Sequence, residues 1–152
     1  MKHAYINGII LDGSKEMEPQ QDKVILTDGE NIEAIVEKAQ IEDKDLTEYE
    51  ITDLAGNYIM PGLINLHLHL PATGKPKKKQ QDPVKVVKLL TSNALLRKLA
   101  LKLCASSAKT QLLSGVTTIR TVGGVLDFDS KIRDQIKAGK LIGPRILSCD
   151  MA

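Results

Sequence analysis

The chain has 152 residues, enough to bury a core in one domain or in one domain with a small appendage. Its 21 basic and 19 acidic residues leave a net charge of +2, which excludes the broad basic field expected of a nucleic-acid-binding domain. Hydrophobic residues make up 42% and charged residues 26%, an ordinary globular composition, and no apolar run approaches the ~18 residues a membrane span needs.

The opening, "MKHAYINGIILDG", has one Lys and an apolar run broken by Asn7-Gly8, unlike a secretion signal. Cys104 and Cys149 make no disulfide framework and suit a reducing compartment, so a cytoplasmic location is expected. Residues 1–60 read as short strands and turns. Asn7-Gly8, Asp28-Gly29 and Gly56-Asn57 each separate two short apolar runs, a hairpin signal, and the charged segment 39–48 reads as a loop. Strands this short and close-spaced predict a small antiparallel sheet or sandwich.

The pattern then changes. "LINLHLHL" is a compact apolar strand, followed by the polar loop "PATGKPKKKQQDP". From Pro83 to Ser114 the spacing is helical, as one helix or as two in series broken at Asn93. Leu95, Leu99 and Leu103 form its expected core-facing stripe, and Gly115 its stop. "VTTIRTVGG" is a β-branched strand ending in a glycine turn. "DSKIRDQIKAGK" is a short helix with Asp129 as candidate N-cap and Gly139 as stop, and "PRILSCDMA" begins another strand. The order β-α-β-α-β argues for a parallel sheet with right-handed crossovers. The expected organisation is therefore a β-rich portion over 1–60 and an α/β portion over 61–152.

Two of the three histidines, His67 and His69, sit one residue apart in the apolar strand. Alternate strand residues share a face, so Asn65, His67 and His69 point one way. Positions two apart are separated by ~6.6 Å, and two imidazoles can converge from there onto one ion at ~2.0–2.1 Å. An isolated His-x-His is more often two histidines bonded to backbone. Here two costly polar groups share one face of an apolar strand, a Pro-Gly turn launches it, and a polar loop follows it.

"DLAGNYIMPGLINLHLHL" resembles the opening of the amidohydrolase superfamily, in which a small β-sandwich precedes a (β/α)8 barrel whose first strand carries His-x-His. "SGVTTIRTVGG" resembles the second barrel strand and "GPRIL" the third, with closest likeness to the imidazolonepropionase-like and Xaa-Pro dipeptidase-like branch. The resemblance implies an α/β fold made of the sandwich and the first three β/α units of the barrel. It implies that His67 and His69 are ligands of a divalent metal, zinc above all, and Asn65, on the same strand face, is expected to line the substrate pocket. The implied reaction is hydrolysis of an amide, cyclic amide or dipeptide C–N bond of a small molecule by a metal-activated hydroxide. Many relatives carry an acidic residue where this chain has Thr121, a position that is no metal ligand.

A full barrel needs ~250 residues, so the catalytic Asp and the other ligands are expected beyond residue 152 and the chain is expected to be a fragment. The alternative is a non-catalytic fragment or interaction module that keeps the family signature. Unpaired parallel edges make a homo-oligomer or swapped assembly an expected state. His3 reads as a surface position, Asp127 and Asp129 as loop and cap, and Asp150 as a neighbour of the expected active end. Lys75, Lys77, Lys78 and Lys79 could make a nucleic-acid patch, but without interleaved aromatics they read as a solvated loop. Cys104 and Cys149 lack a local His and read as buried thiols. No nucleic-acid or membrane partner is expected.

Overall fold

The computed structural model describes residues 1–41, 46–71 and 82–149, and the chain forms two compact units, Met1–Pro61 and Gly62–Ala152. The basic cluster Lys75, Lys77, Lys78 and Lys79, part of the 39–48 loop, and Asp150 lie outside the described residues.

The first unit contains β1 (Lys2–Ile6), β2 (Ile9–Ile10), β3 (Lys23–Asp28), β4 (Asn31–Glu37), a 3₁₀ turn at Lys38–Gln40, β5 (Tyr49–Asp53) and β6 (Tyr58–Ile59). Four strands form a sheet in the order β4-β3-β1-β5, and β2 and β6 form a separate ribbon. Of the three expected hairpins only that at Asp28-Gly29 forms, joining antiparallel β3 and β4 with Gly29 at φ +57°. The runs around Asn7-Gly8 and Gly56-Asn57 do not fold back on themselves. They pair with each other in parallel, β1 with β5 and β2 with β6.

Both segments turn together from the sheet to the ribbon. Gly56 N–H donates to the Asn7 carbonyl at 2.7 Å, and Ile9 N–H to the Asn57 carbonyl at 3.1 Å. The second turn is centred on Ala55-Gly56, both at positive φ, and is closed by Asn57 N–H on the Leu54 carbonyl at 2.8 Å. The all-antiparallel expectation is therefore corrected. A turn signal states where a chain bends, whereas the partner it bends towards depends on burial elsewhere. Ala4, Val24, Leu26 and Ile41 make this unit's core.

The second unit contains β7 (Leu63–Leu68), α1 (Pro83–Thr91), α2 (Ala94–Leu113), β8 (Val116–Thr121), α3 (Phe128–Lys137) and β9 (Arg145–Leu147). Its sheet is parallel throughout, in the order β7-β8-β9, with helices in each crossover. The helical stretch is two helices. Asp82 caps the first, accepting from Val84 N–H at 2.9 Å, and Asn93 caps the second, accepting from Leu96 N–H at 2.9 Å. Gly115 at φ +88° ends α2, a conformation that favours glycine.

Two expectations about these helices are corrected. Leu95, Leu99 and Leu103 are 77%, 50% and 57% exposed, and the stripe facing the core is Ala100, Cys104 and Ala108. Both stripes have the four-residue spacing. The small residues let the helix approach Ile119, Ile132 and Ile146 closely, which leucines there would prevent. Asp129 is not the cap of α3. Asp127 holds that position, pairing with Lys131 at 2.9 Å, while Asp129 is fully buried in the first turn.

Candidate metal centre

The strand β7 begins at a close contact. A Cβ on Gly62 would collide with the Thr117 side chain, so Met60-Pro61-Gly62 needs glycine at its last position. The β8 strand bulges at that point, with Leu63 opposite Val116 but Ile64 opposite Thr118. A second irregularity lies at the histidines. Asn65 pairs with Ile119 and Leu68 with Thr121, so β7 fits one extra residue across Leu66-His67. Bulges of this kind re-aim side chains and recur beside functional sites.

Polar side chains bind the backbone on both sides of the bulge. Asn65 Oδ1 accepts the His67 N–H at 3.1 Å, and Arg120 Nε donates to the Leu66 carbonyl at 2.8 Å. Beyond the bulge, Leu68 and Leu70 pack into the unit's core. His67 and His69 are exposed, and their rings meet edge to face with centroids 5.5 Å apart.

His69 Nδ1 lies 2.9 Å from the Gly123 carbonyl. A carbonyl only accepts, so Nδ1 carries the proton in this contact, and Nε2 is the nitrogen that keeps a lone pair in that tautomer. Gly123 has φ +120°, a conformation that side-chain-bearing residues rarely adopt. A Cβ on Gly124 would lie 2.7 Å from Asp129 Oδ2, so the second glycine makes room for the buried carboxylate. The glycine turn read after "VTTIRT" is therefore at the site, and each glycine has its own reason.

Two imidazoles this close are a candidate donor pair for a divalent ion. Two imidazoles on one tetrahedral ion, each nitrogen ~2.0–2.1 Å from it, hold their centroids roughly 5 Å apart. The observed separation is 5.5 Å, and Nε2 is the His69 ring nitrogen that the Gly123 carbonyl leaves unengaged. Among the described residues no group of three His, Cys, Asp or Glu side chains is placed to hold a metal.

The other residues singled out from the sequence lie apart from this pair or serve it indirectly. His3 is in β1, its Nδ1 3.5 Å from Glu50 Oε2 and its ring stacked on Tyr5. Thr121 is fully buried, and its hydroxyl accepts the Cys149 N–H at 3.1 Å, extending the β8–β9 ladder by one contact. Cys104 is buried as expected. Burial first, and the Asp129 carboxylate second, push its thiol up to about 11, which makes it a poor nucleophile. Cys149 is exposed, against expectation, because its backbone and not its side chain is engaged. Arg120 went unnoticed in the sequence, and Asp129 was read there as a cap and not as a buried group. Arg120 alternates with buried Ile119 in an otherwise β-branched strand, and Asp129 falls on the apolar stripe of Ile132 and Ile136. Both patterns were visible signals.

No protein-family profile matches the chain, and no curated protein does. Solved structures do. A candidate prolidase from Bifidobacterium longum is 30% identical with a TM-score of 0.72, over 99% of this chain and 30% of its own. A Xaa-Pro dipeptidase with bound methionine in its active site is 26% identical with a TM-score of 0.74, over 100% of this chain and 34% of its own. An amidohydrolase at 23% identity shares the fold at a TM-score of 0.74, over 100% of this chain and 32% of its own. The chain thus spans about a third of the length of these structures. Along its whole length, then, the chain is similar to amidohydrolase-superfamily structures, a prolidase and a dipeptidase among them.

Proposed function

We propose that the chain forms part of a metal-dependent hydrolase acting on an amide or dipeptide C–N bond, with β7, β8 and β9 as the first three strands of a (β/α)8 barrel. The observation that carries this reading is the ring contact of His67 and His69 with Nδ1 of His69 tied to a carbonyl. In barrels of that kind, chemistry gathers at the C-terminal ends of the strands, where both histidines and the Gly123 turn lie. His67 and His69 would hold a divalent ion, zinc by the chemistry of the donors, with further ligands from outside the described residues. When bound, such an ion supplies Lewis acidity and activates water for attack on a carbonyl. Asn65 is half-buried beside the pair and orients the His67 backbone, and its pocket role belongs to the same proposal.

The test is a zinc titration of the 152-residue chain against a chromophoric chelator, beside the double variant His67→Ala/His69→Ala. The expected result is one zinc bound by the parent chain and at least a hundredfold weaker binding in the variant, since removed ligands cost more than the ~10–100-fold of removed outer partners. Equal binding by the two chains would sink the reading. The two-donor site favours a second reading, in which this chain alone binds metal and does not hydrolyse. Turnover of an Xaa-Pro dipeptide by the zinc-loaded chain would exclude it.

A further inference from the structure

We infer that β8 and the turn after it are the positioning scaffold for both histidines, with Arg120 holding the bulge that aims His67 and the Gly123 carbonyl holding His69 with Nε2 free. The inference rests on the metal-site reading above and adds to it residues that touch neither metal nor substrate. Three observations converge on it. The ladder between β7 and β8 is interrupted at Leu66-His67, the one place where an undistorted strand would hold both imidazoles at a fixed repeat. Arg120 Nε donates to the Leu66 carbonyl at 2.8 Å, and Asn65 Oδ1 accepts from His67 N–H at 3.1 Å, so one side chain from each strand grips the distortion. Past the bulge, Gly123 turns its carbonyl onto His69 Nδ1 at 2.9 Å, with the φ of +120° that glycine permits.

The physical logic is orientation. A histidine ligand needs its free nitrogen presented at the ion, and the group bonded to the other nitrogen sets which one is free. A bulge left to itself relaxes between registers, and each register points His67 differently. The Arg120 guanidinium, with a rigid donor on a long stem, pins a single register. Arg120 is thus a positioning residue, and its partner is a main-chain carbonyl that sequence patterns do not display.

The experiment uses the whole 152-residue chain, metal-free and then with zinc alone, as parent, Arg120→Met and Arg120→Lys. Long-range 1H–15N spectra of the metal-free parent should show His69 protonated on Nδ1 and bare on Nε2. In Arg120→Met the His67 ring signals should move and zinc affinity should fall about tenfold, at an unchanged thermal midpoint. Arg120→Lys, which keeps a donor, should recover most of that loss. A His69 proton on Nε2, or zinc affinity and His67 signals in Arg120→Met equal to the parent's, would overturn the inference. These outcomes separate from the metal reading itself. If the double histidine variant binds zinc like the parent, the metal reading fails, while the metal-free ring signals still decide whether β8 positions the pair. If Arg120→Met does not fold, Arg120→Lys and the parent's His69 tautomer decide it.

Discussion

Cys104 and Cys149 place the same side chain in opposite surroundings. Cys104 lies between Ala100 and Ala108 on the buried stripe of α2, and Cys149 stands exposed past the end of β9. With its thiol pushed up to about 11, Cys104 holds little thiolate at mildly alkaline pH. Alkylation of the native chain by iodoacetamide should therefore label Cys149 alone, and denaturant should expose the second site; mass spectrometry of the labelled chain reads both. The same shift has a pH signature. The folded chain holds the Cys104 proton more tightly than the unfolded chain, so the associated stability is intact below pH 9.0 and falls as pH rises through about 11. Urea midpoints across that window should decline more steeply in the parent than in Cys104→Ala. At this scale the sequence was half legible. Neither cysteine has a His in local sequence and both were read as buried thiols, which holds for Cys104, but burial of Cys149 depended on where β9 stops.

The helix α2 shows the same limit one scale up. Its stop at Gly115 was readable and its start at Asn93 was one of two readings, because both residues carry their own chemistry. Its buried face was not, because two stripes share one spacing and the choice lies with what the helix meets. Close approach selects Ala100, Cys104 and Ala108, and it has a measurable consequence. Ala108→Leu should destabilise the chain by about 1–3 kcal/mol through overpacking. Leu99→Ala, at a position 50% exposed, should change stability by less than ~0.5 kcal/mol. Urea unfolding of the two variants measures both, and the reverse ranking would return the leucines to the core. The turns at Asn7-Gly8 and Ala55-Gly56 make the same point for strands. Each bends the chain as its residues require, yet the partner is the other segment and not the adjoining run.

At the scale of the whole molecule, the sheet β7-β8-β9 has two edges without a further strand among the described residues. Leu63, Ile64 and Leu66 on β7 are 50%, 64% and 56% exposed, and the leucine ridge of α2 is open as well. Apolar strands with free edges are templates for pairing with another chain. The isolated 152-residue chain is therefore expected to self-associate. Sedimentation velocity over a wide concentration range should show growth of larger species, and a monomer at every concentration would refute the expectation. A Lys placed at Ile64 should shift the distribution towards monomer, since edge charges oppose pairing. No described helix is long and apolar enough to cross a membrane.

The sequence by itself determined the order of strands and helical stretches, the stop of α2 at Gly115, the Asp28-Gly29 hairpin and the two histidines that carry the proposal. These depend on local chemistry: the period of apolar residues, the φ that glycine allows, and the rarity of imidazoles in an apolar strand. Only the tertiary structure decided which face of α2 is buried, which strands pair in parallel, that Asp129 lies inside the fold, that Arg120 reaches the Leu66 carbonyl from β8, and that the Gly123 carbonyl meets the His69 ring. Each of those is a contact between residues distant along the chain, and each partner is a backbone group or a packed surface. Every residue carries the same carbonyl and amide, so no sequence pattern marks the one that will be met.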